Sequence, residues 1–138
     1  MLRRAKALVA DTGRVAIVLL ALERLDEFAA SLESSGIPSV VLQSRDDVDA
    51  LRYSKRSVVL AAAEHLAGLQ FDRVIVAGFP VAESGGVLPA HVRRRLLSAL
   101  YLAVSRASHS VEIHVSASSG DVANFLQQAS ESGVLVVD

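Results

Sequence analysis

A chain of 138 residues holds one domain with a proper core and is too short for two. Hydrophobic residues make up 51% and charged residues 21%, which excludes a disordered chain; the net charge of −1 gives no overall pull toward nucleic acid, so any such contact needs a local basic patch. The lack of cysteine excludes disulfides, thiol catalysis and cysteine-ligated zinc, and an aromatic content of 4% without tryptophan argues against a base-stacking platform.

Residues 1–12 read as a basic lead-in and 13–138 as a single domain. The apolar run Val15 to Leu22 is far shorter than the ~20 residues of a membrane span, and the start does not follow a signal-peptide pattern. The expectation is a soluble, cytoplasmic protein with no membrane contact. Within that run, Val15 to Leu20 is unbroken rather than alternating, as in a parallel strand covered on both faces. Leu22, Leu25, Phe28, Ala29 and Leu32 then recur at helical spacing. Gly36 stops that helix, and Ser39 to Leu42 follows as a strand, completing a βαβ unit.

Ser44 to Tyr53 is polar, and Ser44 is placed to cap a short helix that turns Val48 and Leu51 inward. Asp46, Asp47 and Asp49 lack the glycine and ligand ladder of a calcium loop, so they read as carboxylates at a helix start. Ser57 to Leu60 is a third strand, and Ala61 to Leu69 is helix-prone. Arg73 to Ala77 is the clearest strand of the chain. Gly78 to Pro89 is a long loop after the carboxyl end of that strand, where open α/β sheets place ligands; a variable surface connection is the plainer reading.

A long helix is predicted from about Pro89 to Ala107. Val92, Leu96, Ala99, Leu100, Ala103 and Ala107 share one face, Arg94, Ser98, Tyr101 and Ser105 the opposite one, with Arg95 and Arg106 at the boundary. Ser110 to Val115 alternates as a strand. Asp121 to Ala129 is a last helix with Val122, Phe125, Leu126 and Ala129 inward, and Val134 to Val137 a final strand. The pattern predicts a three-layer α/β sandwich on a mostly parallel sheet of about five to six strands.

Chemistry-bearing motifs are few. A GxxxxGK[ST] phosphate loop, a GxGxxG turn and a GxSxG elbow are all missing, and His65, His91, His109 and His114 do not follow metal-ligand spacing. No metal site is expected. Arg93, Arg94 and Arg95 can fork onto phosphates, although three arginines on one helical turn also suit a solvated face.

Three segments together resemble the C-terminal RecA-like domain of UvrD/Rep-like superfamily 1 DNA helicases, from about Arg14 onward. The first strand, its helix and Gly36-Ile37-Pro38 resemble that domain's opening. Ala67-Gly68-Leu69-Gln70-Phe71-Asp72-Arg73-Val74-Ile75-Val76 resembles K-G-L-E-F-D-x-V-x-V. Arg94-Arg95-Leu96-Leu97 and Leu100-Tyr101-Leu102-Ala103-Val104-Ser105-Arg106-Ala107 resemble R-R-L-x-Y-V-A-x-T-R-A with three residues inserted. The resemblance implies a RecA-like (P-loop-NTPase-like) sandwich. It implies that Arg106 reaches the γ-phosphate of ATP bound on a neighbouring domain, and that Gly68 and Gln70 lie at the nucleotide, with Gln70 in place of an acid. Its DNA-facing histidine is displaced by one to His65, and with the Arg93–Arg95 patch this makes the expected contacts to single-stranded DNA.

Several polar positions of that family are changed here. Its first-strand arginine falls on Leu20, its DNA-facing Thr and His on Ala62 and Glu64, and its motif lysine on Ala67. The Walker A and B residues belong to an N-terminal RecA-like domain, so ATP and Mg²⁺ are expected only with that partner present, in cis or in trans, and the chain alone is expected to be inactive. The alternative is a degenerate, non-catalytic fold serving as a binding or regulatory module.

Overall fold

The computed structural model describes residues 1, 3, 7, 13–44, 46–47, 49, 51, 58–80, 88–115 and 121–133, with the backbone alone at 121–123 and 125. Most of the expected lead-in and of the 78–89 loop, Val48, the side chains of Val122 and Phe125, and the strand at 134–137 lie outside the described residues.

The strands are β1 (Val15–Leu19), β2 (Ser39–Leu42), β3 (Val58–Ala62), β4 (Phe71–Ala77) and β5 (Ala107–Ile113). All described pairings are parallel, in the order β2-β3-β1-β4-β5. Every residue of β1 and of β3 is buried, the physical meaning of their unbroken apolar runs: both faces are covered. Ala16 and Val18 point to one core layer, and Val15, Ile17 and Leu19 to the other.

Helix α1 (Leu25–Ser34) covers the second layer through Leu25, Phe28, Ala29 and Leu32. It ends in a Schellman motif: Gly36 sits at φ 66°, its N–H donates to Glu33, and the Ile37 N–H donates to Leu32. Leu22, expected on the inward stripe, is instead in a short 3₁₀ turn (Leu22–Arg24) and is 46% exposed. Helix α2 (Ala90–Val104) and the backbone-described helix α3 (Asp121–Glu131), which sends Leu126 inward, lie on the first layer. The result is the three-layer α/β sandwich that the pattern predicts.

Several boundaries differ from expectation: β5 runs Ala107–Ile113 rather than Ser110 to Val115, β4 begins two residues early at Phe71, and two further shifts have a clear physical cause. Ala61 and Ala62 belong to β3, paired with Val18 and Leu19, and the helix-prone stretch shrinks to a 3₁₀ turn at Ala63–Leu66. Alanine favours helices, but burial beside β1 outweighs that preference. The long helix stops at Val104, not Ala107. The Ser105 hydroxyl donates to the Leu102 carbonyl at 2.8 Å, the Arg106 N–H donates to Ala103 at 3.1 Å, and Ala107 opens β5 opposite Phe71. Arg106 is therefore off the helix, and not on a shared boundary with Arg95.

Candidate functional site

The sheet has two ends, and the residues singled out from the sequence divide between them. At the amino end, Gly68 and Gln70 precede β4, and Arg106 precedes β5. The Phe71 N–H donates to the Arg106 carbonyl at 2.9 Å, which brings the two turns side by side. Gly68 holds φ 83°, a left-handed conformation that reverses the chain after the 3₁₀ turn, and the Leu69 N–H donates to Leu66 there. Gly68 and Gln70 are exposed and Arg106 half-buried. The Arg106 guanidinium donates from Nε and Nη2 to the Ser105 hydroxyl at 3.3 Å. Those contacts are long and to a neutral group, so the guanidinium can be redirected to a phosphate at little cost.

The same end carries a polar cluster that sequence reasoning missed. Asp72 Oδ2 accepts the Arg14 N–H at 2.6 Å, while the Asp72 and Arg73 amides donate to the Arg14 carbonyl. Gly13 lets this turn close, because a Cβ there would lie 3.3 Å from Asp72 Oδ2. The Ser108 hydroxyl donates to the Phe71 carbonyl at 3.2 Å and lies 2.9 Å from His109 Nδ1, which is 3.5 Å from Asp72 Oδ1. Hydroxyl and carboxylate meet the same ring nitrogen, so the three do not form a nucleophile, base and orienter. A glycine and an acid flanking two strand starts were the available signal.

At the carboxyl end, β1, β3 and α2 enclose an open groove of about 600 Å³. Leu20, Ala62 and Glu64 line it from the strand ends, and Arg94 and Arg95 from α2. Thus Leu20, Ala62 and Glu64, distant in sequence from the arginine patch, share one surface with it. His91 and Glu23 also line the groove and had not been singled out as contributing to a site there. Helix α2 carries no Asp or Glu between Ala90 and Val104, so its side of the groove is basic while Glu23 and Glu64 face it.

Two predicted residues do not join that surface. Arg93 is absent from the lining and donates to the Leu88 carbonyl at 3.4 Å, at the start of α2. His65 is half-buried on the side of Asp47. The Asp47 carboxylate accepts the Ser44 and Gln43 amides at 2.8 and 2.9 Å. These bonds hold it below the usual carboxylate range, with a smaller contribution from His65. Asp47 is the reciprocal half of a capping box around Ser44, at a local turn rather than in the groove. Among the described residues, no group of three or more His, Asp or Glu is placed to hold a metal ion, and no helix is long and apolar enough to cross a membrane.

No protein-family model matches the sequence, and no curated protein matches it. Solved structures do. The C-terminal domain of a possible DNA helicase from Lactobacillus plantarum WCFS1 aligns over 81% of this chain with a TM-score of 0.56 and 19% identity. The C-terminal part of the Fun30 ATPase domain aligns over 92% (TM-score 0.55, 14% identity), and the S. cerevisiae Dbp5 C-terminal domain, bound to Gle1 and IP6, over 98% (TM-score 0.54, 14% identity). The alignment spans 64% of the first of those chains, 42% of the second and 78% of the third. At such identities the likeness is one of fold: this chain is folded as the RecA-like C-terminal domains of helicases and related ATPases are.

Proposed function

We propose that this chain is the C-terminal RecA-like half of a helicase-type protein of the UvrD/Rep-like superfamily 1 kind. It contributes an arginine to an ATP site shared with an N-terminal RecA-like domain, in cis or in trans, and a surface to single-stranded DNA. The observation that carries the reading is the gathering of Gly68, Gln70 and Arg106 along one edge by the Phe71–Arg106 main-chain bond. These are the positions that the resemblance assigns to the nucleotide. A partner domain holding ATP and Mg²⁺ supplies the metal and the phosphate cradle. On this chain, Arg106 offers its guanidinium to the charge that builds on the transferred phosphoryl group, and exposed Gln70 offers its amide to the sugar.

The groove at the other end supplies the DNA surface, with Arg94 and Arg95 as phosphate contacts. Helix α2 spans 15 residues, or ~22 Å, and so links the two ends of the domain. A second reading, a non-catalytic binding module, is favoured by the groove lining itself: Leu20 and Ala62 offer it no polar side chain, and Glu64 adds a negative one.

The deciding experiment joins the chain to an active N-terminal RecA-like domain and measures ATP turnover with and without Arg106→Ala. The helicase reading expects no turnover by this chain alone and an Arg106-dependent turnover by the joined protein. Equal turnover by both joined proteins would leave the binding module standing.

A further inference from the structure

We propose that the open edge of β2 and the adjoining face of α1 form a docking groove for an extended, basic peptide, which adds to the sheet as a further strand. The inference rests on the fold alone and not on the helicase reading.

Strand β2 stands at one end of the strand order. Its pairing with β3 aligns Ser39 with Val58 and Val41 with Leu60, and the Val58 N–H donates to the Pro38 carbonyl at 2.9 Å. Backbone groups alternate sides along a strand. Pro38, Val40 and Leu42 therefore serve the ladder with β3, and the N–H and C=O of Ser39 and Val41 face outward. Among the described residues, no strand pairs with that side. The next outward amide, that of Gln43, is already taken by the Asp47 carboxylate at 2.9 Å. The open edge is thus a short, bounded template of four main-chain groups. A lysine, proline or bulge at Ser39 or Val41 would blunt such an edge, and neither position carries one.

The edge faces a groove of about 700 Å³ whose other wall is α1. Ala29, Ala30, Ile37 and Val41 give it an apolar lining, and the two alanines keep the helix wall low enough for a backbone to approach. Its charged lining residues are Asp26 and Glu33, both exposed and both acidic. They are two helical turns apart, ~10.5 Å on one face of α1. An added strand turns every second residue toward α1, so same-face positions two or four residues apart, ~7 or ~13 Å, bracket that distance within reach of a long basic side chain. The occupant that satisfies all three features is an extended segment with apolar residues for the lining and lysine or arginine at two points, bound by strand addition. A second copy pairing edge to edge would bring its own Asp26 and Glu33 against these, which disfavours self-association.

The test is an NMR titration of the whole chain with a blocked peptide of about ten residues in which every second residue is in turn valine and lysine and the others are threonine, so that one face carries both types over the length of a bound strand plus flanks. The expected result is selective protection of the Ser39 and Val41 amides from solvent exchange, with the valine–glutamate counterpart not binding. The double variant D26K/E33K should reverse that preference. Val41→Pro removes an outward N–H without taking a donor from the β3 ladder and should weaken binding about tenfold, whereas Val41→Thr, which keeps that N–H and loses a similar share of packing, should bind within about twofold of the parent. Equal binding of both peptides to the unmodified chain, binding unaffected by D26K/E33K, or protection appearing elsewhere in place of Ser39 and Val41 would each overturn the proposal.

Discussion

The Phe71 amide donates to the Arg106 carbonyl at 2.9 Å, so the first residue of β4 holds the turn between α2 and β5. The bond uses the main chain of Arg106 and leaves its guanidinium against the Ser105 hydroxyl at 3.3 Å. The structural duty of this residue and the chemical duty proposed for it thus sit on different atoms, and one substitution can separate them. Arg106→Ala keeps the carbonyl. Its unfolding free energy should stay within about 0.5 kcal/mol of the parent, while ATP turnover of the chain joined to an active N-terminal domain should fall ~10³-fold or more. Urea denaturation and a turnover assay on the same preparations check both parts. A large loss of stability would assign the side chain to the fold.

Ile17 of β1 and Leu60 of β3 are register partners, fully buried in the layer beneath α1. Replacing either by alanine removes buried methyl groups between rigid strands that cannot close the gap. Each change should cost about 2–5 kcal/mol, read as a lower urea midpoint at an unchanged slope. The two residues touch one layer, so the double variant should not be additive.

The glycines at positive φ separate conformational strain from crowding. Gly78 sits at φ 62°, and a Cβ there would come within 3.0 Å of Leu19 Cδ2; Gly36 sits at φ 66° with no atom within 4 Å of the same position. Gly36→Ala should cost the left-handed strain alone, about 1–2 kcal/mol. Gly78→Ala should cost that plus displacement of a buried Leu19, about 2–4 kcal/mol in all. Comparing Gly78→Ala alone with Gly78→Ala in a Leu19→Ala background checks the assignment, since the second should recover only the crowding part.

Asp47 makes stability depend on pH in a known direction. Its carboxyl is held below the usual range, first by the Ser44 amide and then by the Gln43 amide. A depressed carboxylate contributes stability that is present above its unfolded value of about 3.9 and is lost as pH falls through the folded value. Asp47→Asn should therefore lower the melting temperature at pH 7, with the gap to the parent closing as pH falls below about 3.9. A gap that persists unchanged to pH 2 would show that the two amides do not favour the charged form.

How far the fold was legible follows from where local preference and burial agree. The Val15–Leu20 and Arg73–Ala77 runs announce strands of a parallel sheet covered on both faces, and Gly36 announces the end of α1 because its φ requires it. Ala61 and Ala62 misled because alanine reads as helix until its neighbours across β1 are known. The end of α2 misled because the stop is a serine hydroxyl and an early strand pairing, neither of which changes the apolar period. The groove was not legible at all. Leu20, Ala62, Glu64 and the two arginines come from separate segments, and only the 2-3-1-4-5 strand order places them on one surface. Gly68 and Gln70 lie beside Arg106 because they directly precede β4, whose first amide bonds the Arg106 carbonyl.

That groove yields the last prediction, because its two signs of charge oppose each other. If Arg94 and Arg95 contact phosphates, Arg94→Gln and Arg95→Gln together should flatten the salt dependence of single-stranded DNA binding by about 1.4 in the log–log slope, ~0.7 per contact. Glu64 lines the same groove, where its carboxylate would repel a phosphate backbone. Glu64→Gln should therefore raise affinity at low salt, with a gain that shrinks as salt screens it. Fluorescence anisotropy across a salt series separates the two effects. An affinity indifferent to all three changes would remove this groove from the DNA path, and leave the Arg106 edge to be judged by ATP turnover alone.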